Sequence, residues 1–494
     1  MDEIAMNREL PSSRAFTETD QERFARLSGD WNPMHMDPIV ARRTQPGAPV
    51  VHGVHLVLWA LESVIATGTL RGSIASIRAE FSKFVYLNTP AELMLDQRDP
   101  QTLEVTIVAA GVAATTVTVV TGERSAAPTE LLDAGPVGTD GDIPNTPALA
   151  SLAGQTGWVE PQADVISIAS MFPAVSAAIG AGRVGAIMLT SRLVGMLVPG
   201  LHSVFGSLEL ALVTGGGRPG LGFRVAVANV RTRLVRMIVS GCGVTGMVVA
   251  FARHDQISQR GIAEIAPTIA ANEFAGATAL ITGGSRGLGA LTAKIIAAGG
   301  GRVIVTYVSG RADAEHVAAE IDEFRGGSVC TLLRYEMMRD AASQLGEIGR
   351  VVTHLYHFAT PRIFRQKGSL FDAGLFAEFT RAYLTAFHDL CGTMQRQARQ
   401  RLVAFFPSSV AVDPGRPRDI TEYAMAKAAG EILCDDMSQT EGFPLVIARR
   451  LPRLLTDQTA TLARVASADA FQVMLPIVRE VQATAATWPD GNAV

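Results

Sequence analysis

Apolar and polar positions along the chain fall into three blocks with different periods. The first block carries Val54–Ala66 (VHLVLWALESVIA), apolar nearly all round with Glu62 as its only acid. Such a run predicts a helix enclosed on most sides. The runs SIASIRAEFSKFVY, AELMLDQ, TLEVTIVAAG and ATTVTVVTGE follow it, and their alternation predicts a four-strand meander wrapped around that helix. The second block repeats this order: helical runs Val165–Ala181, uncharged, and Val184–Val198, charged only at Arg192, then GSLELALV, GFRVAVANV, RTRLVRMIVSG and GVTGMVVAFA. Two divergent copies of one fold, packed side by side, are expected. The third block opens with TALIT, GGSRGLG, ALTAKIIAAGG and RVIVTYV. Strand, glycine turn, helix and strand in that order form the βαβ unit of a doubly wound parallel sheet.

Punctuating residues place the boundaries. Gly122–Asp164 is dense in Pro, Gly, Thr and Asp, which reads as linker, and a milder break covers Ala252–Gly276. The expected domains are 1–125, then 126–258 as linker plus second half, then 270–494. The chain of 494 residues is 48% apolar and 18% charged, a globular balance. Lys plus Arg number 43 against 47 Asp plus Glu, a net charge of −4. That leaves no electrostatic footprint for nucleic acid or an anionic membrane. Cys242, Cys330, Cys391 and Cys434 are scattered, so neither a disulfide framework nor a metal site is expected, and a reducing compartment fits. Val105–Gly122 and Val165–Gly182 carry no charge. The first reads as strands and the second, with Pro173, as a buried helix. With no apolar signal core in MDEIAMNREL, a soluble cytoplasmic protein is expected.

Chemistry concentrates in two places. In the third block the glycine turn reads Thr282-Gly283-Gly284-Ser285-Arg286-Gly287-Leu288-Gly289. Glycines let backbone approach a pyrophosphate, and the next helix offers it free N–H groups. Downstream lie Ser409 and Tyr423-Ala424-Met425-Ala426-Lys427. Tyr and Lys four apart share one helix face, and a nearby ammonium lowers a phenol's pKa from about 10. On TGGSRGLG, Ser408-Ser409-Val410 and YAMAK, the chain from about Ala277 to Thr456 resembles the short-chain dehydrogenase/reductases, and among them the 3-oxoacyl-thioester reductases. The resemblance implies that Tyr423 protonates the carbonyl oxygen, Ser409 holds it, and Lys427 binds the nicotinamide ribose and tunes Tyr423. Thr282, Gly283, Ser285, Arg286, Gly287, Leu288 and Gly289 would cradle the cofactor. No acid stands in Tyr307–Arg311 to hold a ribose 2′-hydroxyl. Arg286 and Arg311 suit a 2′-phosphate, so NADPH is expected over NAD. The sequence departs from the family at His357-Phe358-Ala359-Thr360, where Asn-Asn-Ala-Gly is usual, and at Tyr335-Glu336, where an aspartate is usual. Tyr383 takes the place of a helix asparagine, and a glycine-rich last strand is missing.

In the first block, Asp30 and His35 flank Asn32-Pro33, a turn sequence, and a carboxylate and imidazole on one loop form an acid–base couple. Val51-His52-Gly53 precedes the buried helix, whose first N–H groups suit a thioester enolate. This string resembles the hydratase motif of MaoC-like hot-dog proteins, the (R)-specific enoyl-thioester hydratases and 3-hydroxyacyl dehydratases, over about Thr17–Glu123. The resemblance makes Asp30 and His35 the catalytic pair and the Gly53 N–H the oxyanion donor. It leaves Asn32 to hold the loop, His52 to shape the backbone, and His55 and Trp59 to pack. In the second block, Ser191–Phe205 resembles the His-Gly helix region. Aligning Pro173 with Pro33 puts Ser170, Phe172 and Val175 at the Asp, Asn and His positions. That half is therefore expected to be structural, a wall of the acyl tunnel, with His202 lacking an acidic partner. Arg42-Arg43 and Arg231-Thr232-Arg233 read as solvated charge rather than a phosphate site.

The expected architecture is an α+β double hot dog, its second half degenerate, followed by an α/β doubly wound Rossmann domain. The expected function is bifunctional: NADPH-dependent reduction of a 3-oxoacyl thioester to the (3R)-hydroxyacyl thioester, then dehydration to the trans-2-enoyl thioester. The acyl group would ride on acyl-carrier protein or coenzyme A, and a homodimer is expected. Two alternatives stand: a dehydratase whose reductase-like domain only binds cofactor or partners, and a β-oxidation-type hydratase/dehydrogenase.

Overall fold

The computed structural model describes residues 8–126, 134–215, 217–365, 367–399, 401–415, 418–459 and 465–487. The chain divides into two compact units, one up to Asp255 and one from Gln256 onward.

The first unit begins with β1 (Arg8–Ala15), α1 (Glu18–Ser28), α2 (Pro33–Met36), α3 (Pro38–Ala41) and α4 (Gly53–Ala66). The meander β2 (Ile74–Phe81), β3 (Pro90–Asp99), β4 (Thr102–Ala109) and β5 (Val112–Thr121) follows. Its second half comprises β6 (Pro136–Val137), β7 (Thr156–Val159), α5 (Val165–Met171), α6 (Pro173–Ile179), α7 (Ala181–Arg192) and β8 (Ser203–Leu212). It closes with β9 (Leu221–Asn229), β10 (Leu234–Gly241) and β11 (Val244–Ala252). Alternation explains the strands: in β4, Leu103, Val105 and Ile107 are buried while Thr102, Glu104 and Thr106 are half-buried. All eleven strands form one sheet, in the order β1-β3-β4-β5-β2-β8-β11-β10-β9-β7-β6. Read inward from β1 and, inside the short edge strand β6, from β7, β1-β3-β4-β5-β2 and β7-β9-β10-β11-β8 are the same order, so the two halves are copies of one fold. They join through antiparallel β2 and β8, with Ile77 opposite Leu210 and Ala79 opposite Leu208, all four buried.

The lone acid of α4 has a structural reason. The Glu62 carboxylate accepts the backbone N–H groups of Ala174 (2.8 Å) and Val175 (2.9 Å) at the start of α6. An anion at a helix N-terminus meets groups that have no partner inside the helix.

Three expectations for the second half need correction. The stretch read as linker contains β7, which pairs with β9 as β1 pairs with β3. The run Val165–Ala181 is two short helices, because Phe172-Pro173 begins α6 and Gly180 (φ 91°) ends it. The central helix is α7, continued by a π-helical turn over Leu193–Leu197. Ser191–Phe205, taken as the His-Gly helix region, spans the end of that helix and the first residues of β8. No single helix among the described residues is long and apolar enough to cross a membrane, though α6 and α7 pass together as a bent pair. Val184, Ala186, Ile187 and Met188 of α7 are buried in the core of this unit.

The second unit contains α8 (Ile262–Ile265), β12 (Thr278–Thr282), α9 (Gly287–Ala298), β13 (Arg302–Tyr307), α10 (Arg311–Arg325), β14 (Cys330–Arg334) and α11 (Ala341–Leu345). It continues with β15 (His354–His357), α12 (Ala373–Thr380), α13 (Ala386–Gln397), β16 (Val403–Ser409), α14 (Thr421–Gln439), β17 (Leu445–Leu451) and α15 (Ala470–Thr487). Its strands are all parallel, in the order β14-β13-β12-β15-β16-β17. This is the doubly wound dinucleotide-binding order, and ligands of such sheets sit beyond the strand C-termini where the order reverses. Here that point lies between β12 and β15, which end at the paired residues Thr282 and His357.

Candidate active sites

In the first unit, α1 stops at Ser28 because Gly29 turns left-handed (φ 73°) and returns its N–H to Ala25 O. Asn32 then caps α2, accepting the Met34 N–H at 3.1 Å, with Pro33 as the first helical residue. This tight reversal carries His35 back to Asp30. The side-chain polar atoms of Asp30, His35 and His52 lie within 4.8 Å of one another. His35 Nδ1 is 2.8 Å from Val50 O. A carbonyl only accepts, so Nδ1 carries the proton and Nε2 is left as a lone pair. The His52 ring stacks on His35 at 3.9 Å between centroids. Its nitrogens meet Gln21 Oε1 (2.7 Å) and Asp30 O (3.0 Å), so it fixes the loop as expected. Burial raises the Asp30 pKa, opposed by His35, Ser191, the Asn32 N–H and Arg192. Burial lowers that of His35, opposed by Asp30 and reinforced by Arg253. The arrangement is a neutral base with a free nitrogen beside a carboxyl group able to hold a proton, which is what proton removal and delivery require.

The second half is more than a wall, contrary to expectation. Ser191 donates its hydroxyl to Asp30 Oδ2 at 2.6 Å, while Oδ1 accepts the Asn32 N–H at 3.2 Å. Asn32 Nδ2 donates to Gly195 O at 2.7 Å, and Arg192 Nη1 to Gly29 O at 2.7 Å. A Cβ on Gly195 would stand 2.3 Å from Asp30 Oδ1, so the carboxyl group occupies the space a side chain would need. Arg253, buried, donates to Leu201 O at 2.9 Å, in the segment that receives the Asn32 amide. Small residues four apart on one helix face were the only signal of this clamp. His202 does have an acidic neighbour, the exposed Asp255 at 3.3 Å. Gly53 begins α4, where its N–H has no intrahelical acceptor, and a Cβ there would lie 2.8 Å from the Phe81 ring. His55 and Trp59 pack as expected: His55 stacks on Phe24, and both lie edge-on to Phe16.

In the second unit, the glycine turn is a tight cradle. Gly283 (φ 67°) lies so close to the Phe358-Ala359 backbone just beyond β15 that a Cβ would stand 2.8 Å from Ala359 N, and one on Gly289 would stand 2.4 Å from Gly283 O. The N-terminus of α9 opens at Gly287, so Gly287, Leu288 and Gly289 present N–H groups unused by the helix. Thr282 Oγ1 bonds His357 Nδ1 at 2.9 Å, tying the turn to the His357-Phe358-Ala359-Thr360 segment. The two arginines expected to meet a 2′-phosphate already have anions: Arg286 pairs with Asp457 (2.9 Å) and Arg311 with Glu315 (2.8 Å).

Ser409 ends β16 and Tyr423 lies in the first turn of α14, and their side chains are hydrogen-bonded. Lys427 lies one turn further on. The tuning expected of it is not seen: burial pushes Tyr423 up to about 12, and the opposing influence comes from Ser409. Lys427 is itself drawn down to about 7 by burial. Its Nζ donates to Pro407 O at 2.6 Å and sits 3.8 Å above the Tyr383 ring.

Comparison with known proteins finds matches to both units. Residues 2–118 match the family model of the MaoC like domain. A stretch of 51 residues is 48% identical to an NADPH-dependent aldehyde reductase-like chloroplastic protein of Arabidopsis thaliana, covering 10% of this chain and 19% of that protein. Among solved structures, RhlG of Pseudomonas aeruginosa, in a complex with NADP, matches at 19% identity and TM-score 0.37, over 44% of this chain and 95% of that one. FolM alternative dihydrofolate reductase 1 of Brucella suis, also with NADP, matches at 18% identity and TM-score 0.36, over 42% and 90%. A dehydrogenase/reductase of Sinorhizobium meliloti matches at 20% identity and TM-score 0.35, over 45% and 90%. The chain carries a MaoC-like dehydratase domain at its N-terminus. C-terminal to it lies a Rossmann-type unit that matches short-chain dehydrogenases and reductases in structure.

Proposed function

We propose that the protein is a bifunctional enzyme of acyl-thioester metabolism, reducing a 3-oxoacyl thioester with NADPH and dehydrating the (3R)-hydroxyacyl product to the trans-2-enoyl thioester. The observation that carries this reading is that one chain holds an elimination dyad, Asp30 with His35, and a carbonyl-reducing set, Ser409 with Tyr423 and Lys427. The product of the second set is the substrate of the first.

In the dehydration, His35 Nε2 takes the proton from the carbon next to the thioester. The electron pair moves onto the carbonyl oxygen, which the Gly53 N–H stabilises. As the pair returns to form the double bond, the C–O bond breaks and Asp30 supplies the proton that releases the hydroxyl as water. Ser191 and Asn32 hold the Asp30 carboxyl group at that position.

In the reduction, Thr282, Gly283, Ser285, Arg286, Gly287, Leu288 and Gly289 would hold the nicotinamide dinucleotide, and the cradle that a Cβ would fill fits such a group. When bound, it supplies a hydride. Ser409 holds the substrate carbonyl oxygen and Tyr423 delivers a proton to it. Lys427 would hold the ribose. The absence of an acid in Tyr307–Arg311 supports NADPH, whose 2′-phosphate Arg286 would hold in exchange for its pairing with Asp457. The relatives' own cofactors, NADPH and NADP, point the same way. The acyl carrier is coenzyme A or an acyl-carrier protein.

A second reading, a dehydratase with a cofactor-binding but inert second unit, is favoured by the high Tyr423 pKa and by the seating of Lys427 on Tyr383. Incubation with NADPH and a short 3-oxoacyl thioester, with products identified by mass, decides between them. Enoyl product from the wild type, hydroxyacyl product from Asp30→Asn and none from Tyr423→Phe are expected. Unchanged NADPH beside continued hydration of an enoyl thioester would leave only the second reading.

A further inference from the structure

Lys427 is a buried cation with an unusual set of neighbours. Its ammonium is 4% exposed at the residue level and donates to one carbonyl, that of Pro407. Otherwise it faces rings: Tyr383 at 3.8 Å, Phe406 at 4.5 Å and Tyr423 at 5.9 Å from the centroids. Tyr383 sits in a π-helical turn, Arg381–Thr385, between α12 and α13. It is held on two sides, its hydroxyl 2.5 Å from Thr360 Oγ1 and its ring stacked parallel to Phe379. A ring so fixed presents its negative face at one place, and that place is occupied by the ammonium.

We propose that Tyr383 is a positioning residue, whose ring face holds the ammonium group of Lys427 in its charged form beside Tyr423. The inference deepens the reductase reading, since it states how a lysine expected to grip the cofactor ribose keeps its charge. Burial works against that charge, drawing the group to about 7, while the Glu431 carboxylate on the same helix supports it; Cys434, its thiol pushed up to about 12 by burial, faces it uncharged. Glu431 is shared with Arg450 and Ser408, so only part of its charge is available to Lys427. From β15, His357 faces the same ammonium; burial first, and the cation second, keep that imidazole neutral. Among the described groups facing Lys427, Tyr383 is the nearest aromatic face, and a cation on a desolvated ring is more strongly held than one at a surface.

The test uses the full-length protein carrying isotope-labelled lysine side chains. The Lys427 resonance is assigned with Lys427→Arg and followed by NMR against pH. Tyr383→Phe keeps the ring and loses the Thr360 contact, while Tyr383→Leu and Tyr383→Met fill the space without a ring. The expected result is a midpoint kept within a few tenths of a unit in Tyr383→Phe. In either aliphatic variant it falls by about one pH unit, a tenfold loss of the charged form. Circular dichroism and melting of each variant show which of them keep the fold. A folded aliphatic variant whose midpoint is unchanged or higher overturns the proposal. The measurement needs no turnover: a displaced midpoint without NADPH oxidation would sink the reductase reading and leave this inference standing.

Discussion

Placing one methyl group on Gly195 should disable the hydratase site from outside its own motif. The new Cβ would stand 2.3 Å from Asp30 Oδ1 and 2.7 Å from Cγ and Oδ2, about 1 Å short of an ordinary contact. Both sides resist retreat. Asp30 is held by the Ser191 hydroxyl and the Asn32 N–H, and Gly195 is anchored by its carbonyl on the Asn32 amide. A displacement of about 1 Å in a catalytic group costs about a hundredfold in rate, which is about 2.7 kcal/mol of barrier. The accompanying overpacking costs about 1–3 kcal/mol of stability. The assay is hydration of a short enoyl thioester, followed by loss of enoyl absorbance in the wild type and in Gly195→Ala. Melting of the variant and NADPH binding by the second unit control for folding. Gly195→Ala should fold, bind cofactor and hydrate about a hundredfold more slowly. A folded Gly195→Ala with wild-type hydration would refute the clamp, and with it the placement of Asp30 at the reacting centre.

Three further outcomes follow from the geometry. Arg253 lowers the His35 pKa through space, so Arg253→Gln should let His35 take up a proton at higher pH; the acid limb of the hydratase pH–rate profile would move upward, and an unmoved limb would show that the cation is not felt there. His55 and His357 are held near 3 and His354 near 4 by burial. The unfolded chain binds protons at these sites from about pH 6.5 downward, whereas the folded chain does not until near pH 3 to 4. Stability is therefore full above about pH 6.5 and falls by about 1.4 kcal/mol per unit per histidine as the pH drops; denaturant midpoints at pH 7, 6 and 5 should flatten for the first unit in His55→Leu. Finally, Asp457→Asn removes the carboxylate paired with Arg286 and should tighten NADPH several-fold while leaving NADH unchanged in fluorescence titrations; equal gains for both would point away from the 2′-phosphate.

Much of this molecule was legible because its signals are local. The repeated helix-then-strands order, the glycine turn and the YxxxK spacing each lie within a short stretch. They led directly to the paired half-sheets, the α9 cradle and the Tyr423–Lys427 face. The dyad was legible for the same reason, since a turn at Asn32-Pro33 brings Asp30 and His35 together without help from distant chain. The misreadings involve pieces that are short or far apart. β7 has four residues amid Pro- and Gly-rich sequence, too few to show a period of two. The second central helix was displaced in the sequence reading because Gly180, not a His-Gly pair, precedes it. Ser191 meets Asp30 across 161 residues, and the seating of Lys427 on Tyr383 joins two helices that no spacing rule connects. Burial then reversed the expected pKa of Tyr423, an effect that only packing reveals.

The Ser191–Asp30 bond also changes how the two copies can diverge. Once the motif-less copy supplies the hydroxyl and the bare backbone that the acid needs, it is no longer free to drift. Substitutions at 191 and 195 are judged by a carboxyl group on the other copy, and Asp30 is viable only beside those small neighbours. The duplicated halves are therefore coupled at this bond, and the half that bears the motif, excised, would lack the Ser191 hydroxyl and the Gly195 carbonyl that hold the loop of the proposed hydratase site.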